Sequence, residues 1–222
     1  MSLRGRDLTG AVFALAVAAL FVGLGFWQLA RLRERRAQNA IIATRRALPP
    51  VELPMDRLEA DALRDRRAHA RGVYDYAHER VWTGRTYEGA PGVALLTPLR
   101  LSDGSAVYVD RGFVSSPDAA HVDAARYREG DTIAVMGLVL PAPRDRGDVN
   151  PAALRDSLPY PVLPVVVQLD DTLAPHPAGV RRWRPPALDD GPHLSYAIQW
   201  FCFATIAVVG TVAVLWRQAR RA

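Results

Sequence analysis

The residues with the clearest chemistry stand at the edge of an apolar stretch. His193 opens the run His193-Leu194-Ser195-Tyr196-Ala197-Ile198-Gln199-Trp200-Phe201. A neutral imidazole can ligate haem iron, zinc or copper. On a helix, offsets of three, four and seven put Tyr196, Ala197 and Trp200 on the face of His193. A small residue between two aromatics leaves room for a flat apolar ligand. A histidine that only bonds a lipid headgroup or a loop carbonyl accounts for the same residues. Arginines form the second candidate group. Arg31 follows Trp27-Gln28 by one turn, and Arg181-Arg182-Trp183-Arg184 lies shortly before His193. Arginine forks bind carboxylates, and a haem carries two propionates. Arginines snorkelling to lipid phosphate are the alternative.

Other chemistries lack their residues. The chain has no lysine, which excludes Ser-Lys hydrolysis, phosphate loops of the P-loop type and Schiff-base catalysis on this chain. Cys202 is the only cysteine, so no intrachain disulfide or paired-thiol metal site can form, and it reads as a small packing residue. His69, His78, His121 and His176 show no metal-ligand spacing. Neither Asp170-Asp171 nor Ser115-Ser116 has a catalytic context, and the expectation is a protein that is not an enzyme.

Two elements must position His193 and the arginines. Leu8–Ala30 and Leu194–Trp216 are uncharged runs of 23 residues each. As helices each is about 34 Å long, enough to cross a hydrocarbon core. Trp27 and Trp216 suit the headgroup level. The first run is long for a signal peptide and lacks a small-residue cleavage site, so both read as retained transmembrane helices. Ala14 with Ala18, and Ala19 with Gly23, have the spacing for close helix contact. The domain reading is transmembrane helix 8–30, an extramembrane domain 31–193, and transmembrane helix 194–216.

Leu32–Thr44 continues as a helix until Pro49, Pro50 and Pro54, and Asp56–Arg67 is short and charged. Then β-branched and aromatic runs take over: Ala70–Tyr76, Arg80–Thr83, Val93–Leu101, Ala106–Val114, Thr132–Leu140 and Val162–Leu169. Asp103-Gly104 predicts a hairpin between Leu99 and Val109. These strands predict a small antiparallel sheet or barrel, with no internal repeat. Residues 141–161 read as an exposed loop and 174–192 as an extended arm back to the membrane. Asp189-Asp190-Gly191-Pro192 places acidic groups where a helix macrodipole favours them.

The formal net charge is +5, with arginines concentrated beside the apolar runs. Membrane lipids are therefore the expected partners rather than nucleic acid. Counted literally, the arginines flanking the middle domain outnumber those at the outer flanks and would hold that domain in the cytoplasm. The rule weakens for loops of this length, so charge leaves the orientation open.

The motifs then fall into a known order. Trp27-Gln28-x-x-Arg31 ends the first span. Gly72-x-Tyr74-Asp75, Pro91-Gly92, Thr97-Pro98-Leu99, Asp103-Gly104 and Arg111-Gly112-Phe113-Val114 follow. His193-Leu194-x-Tyr196-Ala197-x-Gln199-Trp200-Phe201 opens the second span. In this order the chain resembles the surfeit-locus-one family of cytochrome c oxidase assembly proteins over nearly its whole length. It departs at Pro192, where the family often has Asn. Asp110, Phe113 and Ser115 replace three residues of Asn-Arg-Gly-Trp-Val-Pro. The resemblance implies a multi-pass protein of the bacterial inner membrane, with both termini cytoplasmic and the middle domain periplasmic. It implies a chaperone-like role in assembling respiratory complex IV. Haem a would be bound transiently, with His193 as axial ligand beside Tyr196, Trp200, Arg31, Arg182 and Arg184. The implied partners are the oxidase catalytic subunit and haem a synthase. The competing class is a ligand-free membrane scaffold that steadies an oxidase assembly intermediate.

Overall fold

A computed structural model describes residues 5–54, 60–143, 149–154, 157–170 and 177–220. The chain divides into two compact units. One comprises residues up to Ile41 with Leu188 onward, and the other is Ile42–Ala187.

The first unit contains two long helices, α1 (Gly5–Ala47), which runs on past Ile41, and α4 (His193–Ala219). Both are long and apolar enough to cross a membrane. Protein leaves most of their apolar side chains uncovered: Phe13 is 71% exposed and Ile206 67%. A core helix of a soluble protein would bury such residues, whereas lipid solvates them. Pro49-Pro50 follows α1 directly, as expected from proline's missing N–H and fixed φ.

The second unit is a β-domain. Its elements are β1 (Val51–Leu53), α2 (Ala60–Leu63), β2 (Arg67–Tyr74), β3 (Arg80–Tyr87), β4 (Ala90–Arg100) and β5 (Ala106–Ser115). They are followed by β6 (Thr132–Pro141), α3 (Pro151–Leu154), β7 (Val162–Leu169) and β8 (Val180–Arg181). The sheet order is β1-β2-β6-β7-β5-β4-β3, and β2 also pairs with β4, closing five strands into a barrel. β5 and β7 run parallel, while the other barrel pairs are antiparallel. The barrel interior holds Leu99, Val107, Val109, Val139 and Val167, all fully buried. The turn at Asp103-Gly104 joins β4 to β5 with Arg100 opposite Ala106, and the Asp103 carboxylate accepts the Ser105 N–H.

The outer barrel face is covered as well. Tyr108 and Leu96 are fully buried beneath Val149, Leu154 and Leu158. Thus β4 and β5 have apolar residues on both faces, which is why Val93–Leu99 shows no alternation. Residues 149–154 and 157–158 are not the exposed loop expected from their composition, because α3 packs on this face. The expected features at 56–59, 144–148, 155–156 and 174–176 lie outside the described residues.

Candidate functional site

The helical unit is held by a seam of heptad spacing. On α1 the covered positions include Ala11, Ala18, Gly25 and Leu32, with Phe21 and Gln28 between them. On α4 they are His193, Ala197, Trp200 and Ala204. Such spacing keeps one stripe of each helix facing its neighbour. Phe21 meets Trp200 at a ring separation of 5.5 Å and Phe203 at 5.9 Å. Phe26 packs edge-on against Phe201 at 5.4 Å. A Cβ on Gly25 would stand 2.6 Å from the Phe201 ring, so glycine is what lets this ring approach. Of the small residues singled out by spacing, Ala18 lies in the seam while Ala19 and Gly23 are exposed.

His193 sits at the start of α4, on the seam. Its Nδ1 lies 2.9 Å from Gln28 Oε1. An amide oxygen only accepts, so Nδ1 carries the hydrogen and donates it. The Nε2 lone pair is then free, which is the form of imidazole that ligates a metal. An acceptor placed in this way fixes tautomer and ring orientation. Gly191 borders the Nε2 edge: its φ is +66°, and a Cβ there would lie 3.7 Å from Nε2. Glycine satisfies that backbone angle and lets the turn run along the Cδ2–Nε2 edge of the ring.

The turn before His193 is tied to α1. Asp189 Oδ1 accepts the Gly191 N–H at 3.1 Å. Asn39 Nδ2 donates to the Asp189 carbonyl at 2.8 Å, and Arg35 Nε to the same oxygen at 3.2 Å. Arg36 Nε donates to Asp190 Oδ2 at 2.8 Å. The two acidic residues therefore meet arginines of α1, and neither makes a side-chain cap on α4.

The expected ligand slot over Ala197 is not open. Ala197 is 1% exposed, on the seam side of α4, and Trp200 beside it packs tilted against Phe21. Tyr196 lies off the seam, 45% exposed. His193 and Trp200 thus share one face, and Tyr196 projects from another. Cys202 is exposed, so it does not pack within the unit.

The arginine candidates separate. Arg31 belongs to the helical unit and is exposed, 2.7 Å from Glu34. Arg184 belongs to the β-domain and is exposed, 3.6 Å from Glu88. Arg182, expected beside a haem propionate, is engaged within the β-domain instead. It is 1% exposed and donates to both Glu129 oxygens, at 2.6 and 3.1 Å, and to the Arg111 carbonyl. A fully buried guanidinium with its own carboxylate has no charge to offer a ligand.

Arg182 is part of a buried polar network that sequence reasoning missed. Arg111, fully buried, donates to Thr97 Oγ1 at 2.7 Å, to Glu79, to Glu129 and to the Tyr127 carbonyl. Tyr76 Oη donates to the Gly130 carbonyl and accepts the Glu129 N–H. Two arginines and two glutamates so cancel inside the domain. The Arg111-Gly112 motif was the visible signal, but its partners are remote in sequence: Glu79 lies 32 residues from Arg111, Arg182 lies 71 from Arg111, and Glu129 lies 53 from Arg182. Nearby, buried Asp110 accepts from Trp183 Nε1 and the Gly112 N–H, both at 3.0 Å. Burial pushes its carboxyl up to about 6, against the opposing pull of those two bonds and of Arg85 and Arg182. Among the described residues no three His, Cys, Asp or Glu side chains gather as a metal site.

The profile of the SURF1 family matches residues 15–205. The chain belongs to the SURF1 family. The matched stretch contains both Gln28 and His193 and the whole β-domain. A SURF1-like protein of Monosiga brevicollis is 26% identical over 93% of this chain and 87% of its own length. An uncharacterized SURF1-like protein of Mycobacterium tuberculosis is 28% identical over 94% of this chain and 83% of its own length. The cytochrome oxidase assembly protein SHY1 of Saccharomyces cerevisiae is 27% identical over 65% of this chain and 38% of its own length.

Proposed function

We propose that this SURF1-family protein assists cytochrome oxidase assembly by holding haem a at His193 and passing it to the oxidase catalytic subunit. The observation that carries the reading is the Gln28–His193 pair, with Nδ1 engaged at 2.9 Å and the Cδ2–Nε2 edge of the ring bordering Gly191. The naming of the yeast relative as an oxidase assembly protein supports the broader role.

The residues fit such a cargo in part. Nε2 can take one axial position of the iron. Arg31, three residues beyond Gln28, is exposed and only surface-paired, so it can turn to a propionate. Tyr196 is exposed but projects from another face of α4, so it does not share the face of His193. Arg182 takes no part. The isoprenoid tail of haem a suits a site whose flanks are apolar helices. One axial ligand holds the iron less tightly than the two an acceptor can offer, so transfer runs downhill. In this reading the role is non-catalytic. The β-domain is periplasmic, the protein lies in a bacterial inner membrane with residues before α1 and after α4 in the cytoplasm, and haem a synthase is the donor.

A ligand-free scaffold is the second reading, and the closed seam over Ala197 favours it. The test is haem content of the full chain, purified in mild detergent from cells making haem a, with His193→Ala beside it. Haem carriage predicts haem a in the parent and at most about a tenth of it in the variant, the loss expected when an only axial ligand is removed. A colourless parent that still captures oxidase subunits would instead establish the scaffold.

A further inference from the structure

The Arg35, Arg36 and Asn39 side chains meet Asp189 and Asp190 on the turn that borders His193. The helical unit thus holds the ring at one nitrogen and the turn that borders its other edge. Gln28 takes Nδ1. On the other side, the Asp189 carbonyl accepts from both Arg35 and Asn39, its carboxylate fixes the Gly191 N–H, and Asp190 is paired with Arg36. Gly191 is therefore placed beside Nε2 by contacts whose donors lie on α1, two to three turns beyond Gln28.

We infer that Arg35, Arg36 and Asn39 are positioning residues for His193: they clasp the Asp189–Gly191 turn and so govern access to Nε2. Gln28 fixes which nitrogen is free, and the clasp decides how open that nitrogen is. Every polar contact in the clasp is solvent-exposed, so each alone is weak and the set is screened by salt. The turn opens without disturbing the apolar seam, because none of its polar contacts involves Phe21, Gly25, Trp200 or Phe201. The clasp gives the ligating role proposed for His193, on which its purpose rests, a controlling element, while its test reads the imidazole itself.

Acylation by diethylpyrocarbonate reports that access. The free ring nitrogen attacks a carbonyl carbon of the reagent, forming an N–C bond and releasing ethanol and carbon dioxide. The full chain in mild detergent is treated briefly, and modification of His193 is measured by mass spectrometry. His121, 90% exposed in the β-domain, serves as internal reference. The combined Arg35→Ala, Arg36→Ala, Asn39→Ala variant is expected to raise the His193 rate about fivefold relative to His121, the order for losing several exposed contacts together. Exchanging the pair, as Arg36→Asp with Asp190→Arg, should return the rate close to the parent's, whereas Arg36→Asp alone should not.

An unchanged His193 rate in the triple variant overturns the inference, as does failure of the exchanged pair to restore it. A changed His121 rate would mean that the β-domain has been disturbed; Arg36→Asp and its exchanged partner, judged by the same ratio, then decide. If the parent carries no haem, the haem reading fails while the acylation result stands. If the parent carries haem and the clasp variants acylate like the parent once it is removed, only this inference fails.

Discussion

Asp110 and Arg182 are both buried charges, and their surroundings treat them differently. Arg182 reaches Glu129 through two donors, so its charge is compensated where it lies. Asp110 receives two neutral N–H donors and has arginines only at longer range, and burial raises its carboxyl from 3.8 to about 6. The folded chain then holds this proton more tightly than the unfolded chain. That stabilisation is complete below pH 3.8 and is lost as pH rises through about 6. At neutral pH the ionised form has cost roughly 3 kcal/mol relative to the protonated one. Asp110→Asn keeps an oxygen for both donors and removes the charge. Its unfolding temperature should therefore exceed the parent's at pH 8 by several degrees, with the difference shrinking towards pH 5. A difference independent of pH over that range would contradict the burial argument. Asp75 and Asp118 shift the other way, Asp118 chiefly through the His121 N–H, so they destabilise only in stronger acid and drop out of the comparison with the parent. At this scale the sequence announced little. Arg182 looked like its neighbours Arg181 and Arg184, because nothing local distinguishes a buried arginine whose carboxylate lies 53 residues away.

Elements were more legible. Both apolar helices and six of the eight strands among the described residues follow from runs of apolar, β-branched and aromatic residues, because those patterns express burial directly. β1 and β8 are three and two residues long, too short for any periodicity to show. The face of a helix in lipid is harder, since apolar residues surround it and the contact stripe is marked only by size. Hence spacing alone pairs Ala14 with Ala18 and Ala19 with Gly23, whereas the seam runs through Ala11, Ala18, Gly25 and Leu32. Gln28 and His193 meet because both lie on that stripe, and the pairing follows from seam register. Gly25→Leu tests this. Overpacking against Phe201 should cost about 1–3 kcal/mol and push the helices apart. In a Cys202→Ala background, disulfide formation between Ala18→Cys and Ala204→Cys, which line one groove between the helices, should fall severalfold. Undiminished cross-linking would show that Gly25 does not set the approach.

For the whole molecule, the sequence reading of two apolar helices flanking a β-barrel domain holds, and membership of the SURF1 family accounts for the order of motifs. Charge was the poorest guide at this scale. The arginine-rich flanks that argue about orientation also serve inside the protein: Arg35 and Arg36 hold the turn before α4, and Arg46 donates to the Pro186 carbonyl within the β-domain. A count of arginines cannot separate those roles from attraction to lipid. What would make a carrier of the two helices is one imidazole whose Nδ1 is held by Gln28 and whose Nε2 edge borders the Gly191 turn. The most direct measurement replaces that imidazole and gives it back. His193→Gly is purified from cells making haem a, with and without added imidazole, and its visible and electron paramagnetic resonance spectra are compared with the parent's. Haem carriage at His193 predicts a variant nearly free of haem that regains haem a with a nitrogen-ligated iron signal when imidazole is supplied. A variant that keeps the parent's haem and spectrum without imidazole would contradict it.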